Sequence, residues 1–200
     1  IARLQEILPH VHGVVIADQV QERNCGVITD RLRDEIAALA HAHPDKVFIA
    51  DSRERIGLFR EVIVKPNLRE ALQAVGLVGE GQTDEARVEA CGAELVRRTH
   101  RPAFITLGAR GTLVCQAGNC RHVPAVPVTG PIDIVGAGDS VMAGIVSALC
   151  AGAEPEEAAL VGNLVASITI QQIGTTGTAS RQQVWERFRE FIQIRQGLQD

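Results

Sequence analysis

Short apolar runs rich in β-branched residues alternate, in the first half of the chain, with segments whose apolar residues recur every three or four positions. Leu32, Ile36 and Leu39 have the spacing of one face of a helix, and Pro44 would end it. The apolar runs predict strands buried on both faces, as parallel strands between helices are. These runs are VVIAD (14–18), VFIAD (47–51), VIVKPN (62–67) and FITLG (104–108). The alternation predicts βαβ units and an α/β fold.

Two further helices belong to these units, a short one predicted from Leu68 and a longer one that Thr83 would cap. Near residue 110 the pattern changes, and GTLVCQA and RHVPAVPV flank a predicted hairpin turn at Gly118-Asn119. Three further helices are predicted over about 138–151, 155–173 and 180–194. We therefore expect three layers, with helices on both faces of an open, mostly parallel sheet that an antiparallel pair extends.

Length and charge exclude several classes of protein. The chain has 200 residues, 46% of them hydrophobic, which is enough for one buried core, so we expect a single domain. Its net charge of −4 comes without a basic block, which argues against a nucleic-acid partner. No apolar run approaches the roughly 20 residues that span a bilayer, and the N-terminus lacks signal-peptide features. We expect a cytoplasmic protein without membrane contact.

The five cysteines are scattered along the chain, a pattern that favours reduced thiols in a reducing compartment. A disulfide between Cys115 and Cys120 across the predicted hairpin is the alternative.

Each predicted strand ends in polar residues or glycine. In open α/β sheets, ligands bind beyond the carboxyl ends of the strands, so these residues are expected to converge on one cleft. They are Asp18, Asp51-Ser52-Arg53, Lys65-Pro66-Asn67 and the loop 108–111. The alternative, that any strand must end in something polar, stays open for each residue taken alone.

The stretch PIDIVGAGDSVMAG (131–144) has the features of an anion site. Gly136 and Gly138 allow a tight turn, and the amides at the start of the following helix can bind phosphate. Asp139 would then accept the proton of an attacking hydroxyl. Alternatively, Asp139 only complements the helix dipole. A P-loop is excluded because no lysine follows the glycines, and a dinucleotide fingerprint because Val141 stands where its third glycine is required.

Four segments together resemble the ribokinase-like, or phosphofructokinase B-type, carbohydrate kinases. DIVGAGDS (133–140) is similar to the D-T-x-G-A-G-D signature of that family. The other three, in the family's order, are VIVKPNLREA with Asn67-x-x-Glu70, TLGARGTL (106–113) and GNLVASITIQQIG (162–174). The resemblance covers essentially the whole chain and implies the family's fold and an ATP-dependent kinase activity.

The resemblance implies a role for each residue of the GAGD segment (136–139). Asp139 would be the catalytic base, and the amides of Gly136, Ala137, Gly138 and Asp139 would form the anion hole for the transferring phosphoryl group. Some members also bind a monovalent cation such as K⁺ there, which implicates Asp133 and the Val135 carbonyl. Ile134 stands where threonine is usual and weakens that last assignment.

The other segments are implied to bind ATP and Mg²⁺. Asn67 and Glu70 would organise Mg²⁺ and the nucleotide phosphates, largely through water, although the same spacing fits a helix capping box and both roles can hold. The matching nucleotide-loop positions are Thr106, Gly108, Arg110 and Gly111. Asn163 matches a position that borders the adenine, and the alternative is that it satisfies a buried backbone group.

The chain lacks the Gly-Gly motif of the family's N-terminal part, and it resembles the C-terminal two-thirds of one such domain, without the first strands and the lid. Two strand-end stretches, ADQVQERNCGVIT (17–29) and IADSRERIGLF (49–59), are more similar to the kinase domains of bacterial heptose-phosphate kinases than to ribokinase itself. The segment VKPN is also similar to kinases of fructose 1-phosphate and tagatose 6-phosphate. The resemblance implies phosphorylation of a sugar or sugar phosphate by the whole protein, with these residues alone inactive. A nucleotide-binding regulatory module without transfer activity is the alternative, and a homodimer stays open.

Overall fold

A computed structural model describes residues 1–77 and 85–196, and these form an α/β structure. The helices are α1 (Ala2–Ile7), α2 (Asp30–Ala42), α3 (Leu68–Val75), α4 (Glu85–Thr99), α5 (Ala137–Cys150), α6 (Pro155–Thr169) and α7 (Arg181–Gln196). The strands are β1 (Gly13–Asp18), β2 (Val47–Ser52), β3 (Ile63–Val64), β4 (Ala103–Thr106), β5 (Gly111–Gln116) and β6 (Asn119–Pro124). Short 3₁₀ helices span Leu8–His10, Ile56–Leu58 and Gly108–Arg110.

The six strands form one sheet in the order β1-β2-β3-β4-β5-β6. The first four are parallel, with Val15 paired to Ile49 and Val64 paired to both Ala50 and Ala103. The predicted hairpin extends the sheet, but its two-residue turn lies at 117–118, one residue earlier than predicted. Gly118 has φ +79°, which the turn requires and a side chain would disfavour, so the glycine fixes where the turn falls.

The chain divides into two compact units. The first contains Ile1–Leu107 and Leu113–His122, and the second contains Gly108–Thr112 and Val123–Asp200. That the 200 residues are part of one domain stays a prediction.

In the first unit, local signals start the helices and apolar faces bury them. The Thr29 side chain accepts the Leu32 amide at 3.2 Å and so begins α2, whose Ile36 is 2% exposed. Asn67 and Glu70 form a reciprocal capping box that begins α3. Buried side chains of the strands and helices, Val64 and Leu95 among them, form one hydrophobic cluster.

In the second unit, α5 and α6 approach closely through glycines. A Cβ added at Gly144 would lie only 2.7 Å from Gly162 Cα, so this close approach of the two helices requires glycine at position 144. Beside this contact, Val126, Leu164 and Phe191 form a small apolar cluster that anchors α7.

Cys115 and Cys120 form a disulfide across the β5–β6 hairpin, so the preference for reduced thiols was wrong for this pair. The hairpin turn makes them cross-strand neighbours, with Cα atoms 4.1 Å apart. Cys25, Cys91 and Cys150 are free.

The second of the three predicted C-terminal helices, expected to reach about residue 173, ends at Thr169 instead, and Gly174 follows in a left-handed conformation with φ +74°. The cap predicted at Thr83 lies outside the described residues. Within the described residues, we find no helix with the length and apolarity needed to cross a bilayer.

Candidate active site

The polar residues at the ends of β1 and β2 form, with Arg55, a buried network in the first unit. Ser52 Oγ donates to Asp18 Oδ2 at 2.7 Å, and the Arg55 guanidinium contacts both oxygens of the same carboxylate at 2.8 and 3.1 Å. This contact is the main reason why the pKa of Arg55 is raised above its ordinary value. Arg55 Nη1 also donates to the Gln21 carbonyl at 2.6 Å. The network therefore ties the loop after β1 to the end of β2.

Lys65, directly after β3, reaches the end of β2. Its ammonium lies 3.1 Å from Asp51 Oδ2, and its side chain is only 4% exposed. After it, the Thr106 amide at the end of β4 donates to the Pro66 carbonyl at 2.9 Å. The polar ends of the four parallel strands therefore lie along one edge of the sheet, and their convergence on one cleft stays a prediction.

Asn67 and Glu70 make both bonds of a capping box. The Asn67 amide donates to Glu70 Oε2 at 2.8 Å, and the Glu70 amide donates to Asn67 Oδ1 at 2.9 Å. The capping interpretation is therefore correct, and it leaves a magnesium role open because Glu70 Oε1 makes no hydrogen bond within the described residues.

The carboxyl of Glu70 sits where a cation would be favoured. Burial is the main reason why its pKa is raised above the ordinary value, and the nearby charge of Asp51 adds to the increase. The hydrogen bond from the Asn67 amide lowers the pKa of Glu70, and the charge of Lys65 lowers it more weakly. A cation would relieve this cost, so the environment fits Mg²⁺, which binds through one or two carboxylates, substrate phosphates and water. Within the two described ranges, no group of three or more His, Cys, Asp or Glu side chains is arranged to hold a metal.

In the second unit, residues 133–140 lead into α5, and we call them the catalytic turn after the role that the sequence predicts for them. Gly136 is the N-cap residue, with φ +78°, and the Ser140 amide donates to its carbonyl at 2.9 Å. The Ala137 amide donates to the Ile134 carbonyl at 3.1 Å, so one of the four predicted anion-hole amides already has a partner. The amides of Gly138 and Asp139 have no acceptor within the described residues, as expected for the first turn of a helix. Both residues are exposed.

Asp133 is an organiser of the catalytic turn. Its Oδ1 accepts the Val135 amide at 3.0 Å and its Oδ2 accepts the Gly174 amide at 3.2 Å. Its own amide donates to the Ile170 carbonyl at 2.7 Å. These bonds join the turn to the loop after α6. A monovalent cation held by Asp133 and the Val135 carbonyl stays a prediction.

Glycines shape the predicted nucleotide loop for two different reasons. Gly108 has φ +61°, a backbone conformation that favours glycine. Gly111 also has a positive φ, +102°, and in addition a Cβ at this position would lie 2.3 Å from the Val123 carbonyl oxygen. The Arg110 carbonyl accepts the Ala125 amide at 3.3 Å. The loop is thus held against the segment that follows β6.

Asn163, on α6, is 6% exposed, and both polar atoms of its side chain make hydrogen bonds. Its Oδ1 accepts the Thr112 hydroxyl at 2.9 Å, and its Nδ2 lies 3.2 and 3.1 Å from the carbonyls of Val123 and Pro124. These bonds give Asn163 the role of satisfying buried backbone groups, which sequence analysis offered as the alternative. Its place beside the adenine stays a prediction.

The sequence does not predict Arg55, Thr112 or Thr169 as residues of the site. All three are buried polar residues, and the only signal in the sequence is a polar residue close to an apolar run. That signal is too weak to identify them, because it does not show which distant group each would meet.

Comparison with families of known proteins identifies one match. The model of the family described as pfkB family carbohydrate kinase matches residues 23–182. This range includes the capping box of α3, the nucleotide loop, Asn163 and the catalytic turn.

Curated relatives align over most of this chain. The bifunctional protein HldE of a Caulobacter species is 35% identical over 171 residues, which are 84% of this chain and 34% of the relative. The bifunctional protein HldE of Shewanella baltica is 31% identical over 180 residues, 88% of this chain and 35% of the relative. The chain therefore spans about a third of the length of the curated relatives that it matches.

Solved structures show the same fold. Phosphofructokinase-2 of Escherichia coli has a TM-score of 0.71 at 22% identity, covering 95% of this chain and 61% of the other. Ribokinase of Thermotoga maritima has a TM-score of 0.66 at 20% identity, covering 88% and 56%. The fold is thus ribokinase-like, with a six-stranded sheet and flanking helices, and the family match over most of the sequence shows that this chain belongs to the pfkB family of carbohydrate kinases.

Proposed function

We propose that the protein containing this chain transfers the γ-phosphoryl group of ATP to a hydroxyl of a sugar or sugar phosphate. Membership of a carbohydrate kinase family supports this reaction in general. The observation that carries the proposal is the catalytic turn, where the carboxylate of Asp139 is exposed and the amides of Gly138 and Asp139 have no acceptor within the described residues.

Asp139 is the proposed general base. It accepts the proton of the sugar hydroxyl as that oxygen forms a bond to the γ-phosphorus, and the bond from phosphorus to the bridging oxygen of ADP breaks. The amides of Gly138 and Asp139 stabilise the negative charge on the transferring group, helped by the positive end of the α5 dipole. The sugar phosphate and ADP leave as products.

Glu70 and Asn67 are the proposed organisers of Mg²⁺. When bound, Mg²⁺ neutralises charge on the nucleotide phosphates. The chain's own contribution is a carboxyl group whose Oε2 is fixed by the Asn67 amide and whose Oε1 makes no hydrogen bond within the described residues. The glycines of the nucleotide loop, Gly108 and Gly111, are proposed to let the backbone pass close to ATP, with Thr106 and Arg110 beside it.

The test uses the full-length protein, since this chain spans a third of its curated relatives. ADP release is measured against a panel of sugars and sugar phosphates, and ATP binding by calorimetry with Mg²⁺. Asp139→Asn should lower kcat by roughly 10²–10⁴-fold, the usual contribution of a positioned base, while ATP affinity stays near normal. Asp45→Asn, a change at an exposed aspartate outside the site, is the control and should be neutral.

An Asp139→Asn variant that retains a third of the activity would rule out the base. ATP binding without phosphorylation of any compound in the panel would favour the regulatory module instead. The inactivity of these 200 residues by themselves stays a prediction.

A further inference from the structure

Thr169 joins the end of α6 to the start of α5. It is the last residue of α6 and is 6% exposed. Its hydroxyl lies 2.9 Å from Ser140 Oγ, to which it donates, and 3.2 Å from the Ala166 carbonyl of its own helix. Ser140 belongs to the catalytic turn and directly follows Asp139. The bond therefore reaches the first turn of α5 from a neighbouring element.

The α5–α6 contact at the two glycines is apolar. At Gly144 and Gly162 the two backbones touch, and the side chains of Val141 and Ile145 pack against Gly162. Apolar packing of this kind is not directional, whereas the hydrogen bond to Ser140 is. Because successive residues of a helix are fixed about 100° apart, holding Ser140 also holds Asp139.

Thr169 is also contacted by the loop that follows α6. A Cβ added at Gly177 would lie 2.5 Å from the Thr169 carbonyl oxygen, so the loop after α6 packs directly on Thr169. The same loop is bound by Asp133 through the Gly174 amide at 3.2 Å. The end of α6, its following loop and the catalytic turn therefore meet at one buried residue, Thr169.

We propose that Thr169 is a positioning residue which, through Ser140, sets the orientation of Asp139 and of the neighbouring amides. Thr169 touches no reacting group in this role. The proposal rests on the function proposed above for Asp139, and it adds the residue that orients this base.

The first test measures the order of the catalytic turn without any substrate. In the full-length protein, Thr169→Val removes the hydroxyl but keeps the branched shape. Hydrogen exchange of the Ser140 amide, which donates to the Gly136 carbonyl at 2.9 Å, should become about tenfold faster. Thr169→Ser should restore the wild-type rate, and Thr175→Val, at an exposed position of the same loop, should leave it unchanged. Unchanged exchange in Thr169→Val, or failure of serine to restore it, would overturn the proposal.

Kinetics provide a second readout. Thr169→Val and Ser140→Ala, tested separately, should each lower kcat by roughly tenfold or more, while KM for ATP changes less than about twofold. The reason is that an incorrectly oriented base slows phosphoryl transfer without weakening nucleotide binding. The double variant should be no worse than either single variant. Additive losses would contradict a direct bond. If Asp139→Asn is active, the proposed function fails, whereas the exchange experiment still decides whether Thr169 orders the turn.

Discussion

Glu61 shows how a single residue can carry pH dependence away from the candidate site. Its Oε1 lies 2.8 Å from His100 Nδ1 and its Oε2 lies 3.6 Å from His41 Nδ1. The hydrogen bond with His100 is the main reason why the pKa of Glu61 is lowered, and His41 adds to the effect against the opposing cost of burial. One carboxylate thus links the end of α2, the approach to β3 and the residue after α4.

The sign of the resulting pH dependence follows from the lowered pKa. Above the ordinary glutamate pKa of 4.5 the ionised contacts stabilise the fold, and this contribution is lost as pH falls through the lower pKa of the folded state. Glu61→Gln should therefore reduce the loss of unfolding free energy as the pH falls from 4.5 through the lowered pKa of Glu61. The difference should be less than about 1 kcal/mol, as is usual for partly exposed pairs.

Urea unfolding at a series of pH values measures this difference. Glu22→Gln, at an exposed glutamate, should keep the wild-type profile. The same pH profile in wild type and Glu61→Gln would refute the assignment.

At the scale of elements, the pair α5–α6 connects the predicted and proposed site residues of the second unit. One end of α6 supplies Thr169 to the catalytic turn, and its middle supplies Asn163 to the nucleotide loop through Thr112. The close contact at Gly144 and Gly162 sets the distance between the helices. The spacing of the helices is thus part of the geometry of the site.

Gly144→Ala should destabilise the second unit. The new methyl group would meet Gly162 Cα at 2.7 Å, a backbone atom that moves only with its helix. Overpacking of this kind costs about 1–3 kcal/mol, partly offset by the better helix propensity of alanine, about 1 kcal/mol. Calorimetry should show a lower Tm, whereas Ser147→Ala, on the exposed side of α5, should not lower it. A Tm at or above wild type for Gly144→Ala would show that the helices separate without cost.

At the scale of the whole molecule, β1 is the outermost strand of the sheet, and no described strand pairs with its outer side. Val15 in this strand is 50% exposed. The strand carries none of the lysine or proline residues that commonly protect sheet edges. The structure therefore presents an unprotected strand edge.

The 200-residue chain, produced by itself, should self-associate through this edge. Light scattering after gel filtration should give a mass above that of the 21.5 kDa monomer at high protein concentration. Val15→Lys should shift the distribution toward monomer because a charge on an edge strand disfavours pairing. Val27→Lys removes an even more exposed valine, 82% exposed, outside the sheet and should have little effect. A monomeric wild-type chain would contradict this prediction.

The sequence by itself determined the elements and the local shape of the candidate site. Apolar periodicity located the strands and most of the helices, since burial of a strand or helix face acts through residues a few positions apart. The capping box of Asn67 and Glu70 and the glycine turn before Asp139 are likewise contained within short segments. The hairpin was predictable within one residue, but whether Cys115 and Cys120 bond was not, because their spacing is compatible with both states.

Only the tertiary structure decided which distant groups meet. Asn163 bonds Thr112 across 51 residues, Arg55 bonds Asp18 across 37, and Thr169 bonds Ser140 across 29. A buried polar side chain needs a partner, but many groups in the chain have the right chemistry to be that partner. The choice among them depends on how the helices and the sheet pack, and that packing is set by contacts throughout the chain, which no short stretch of sequence contains.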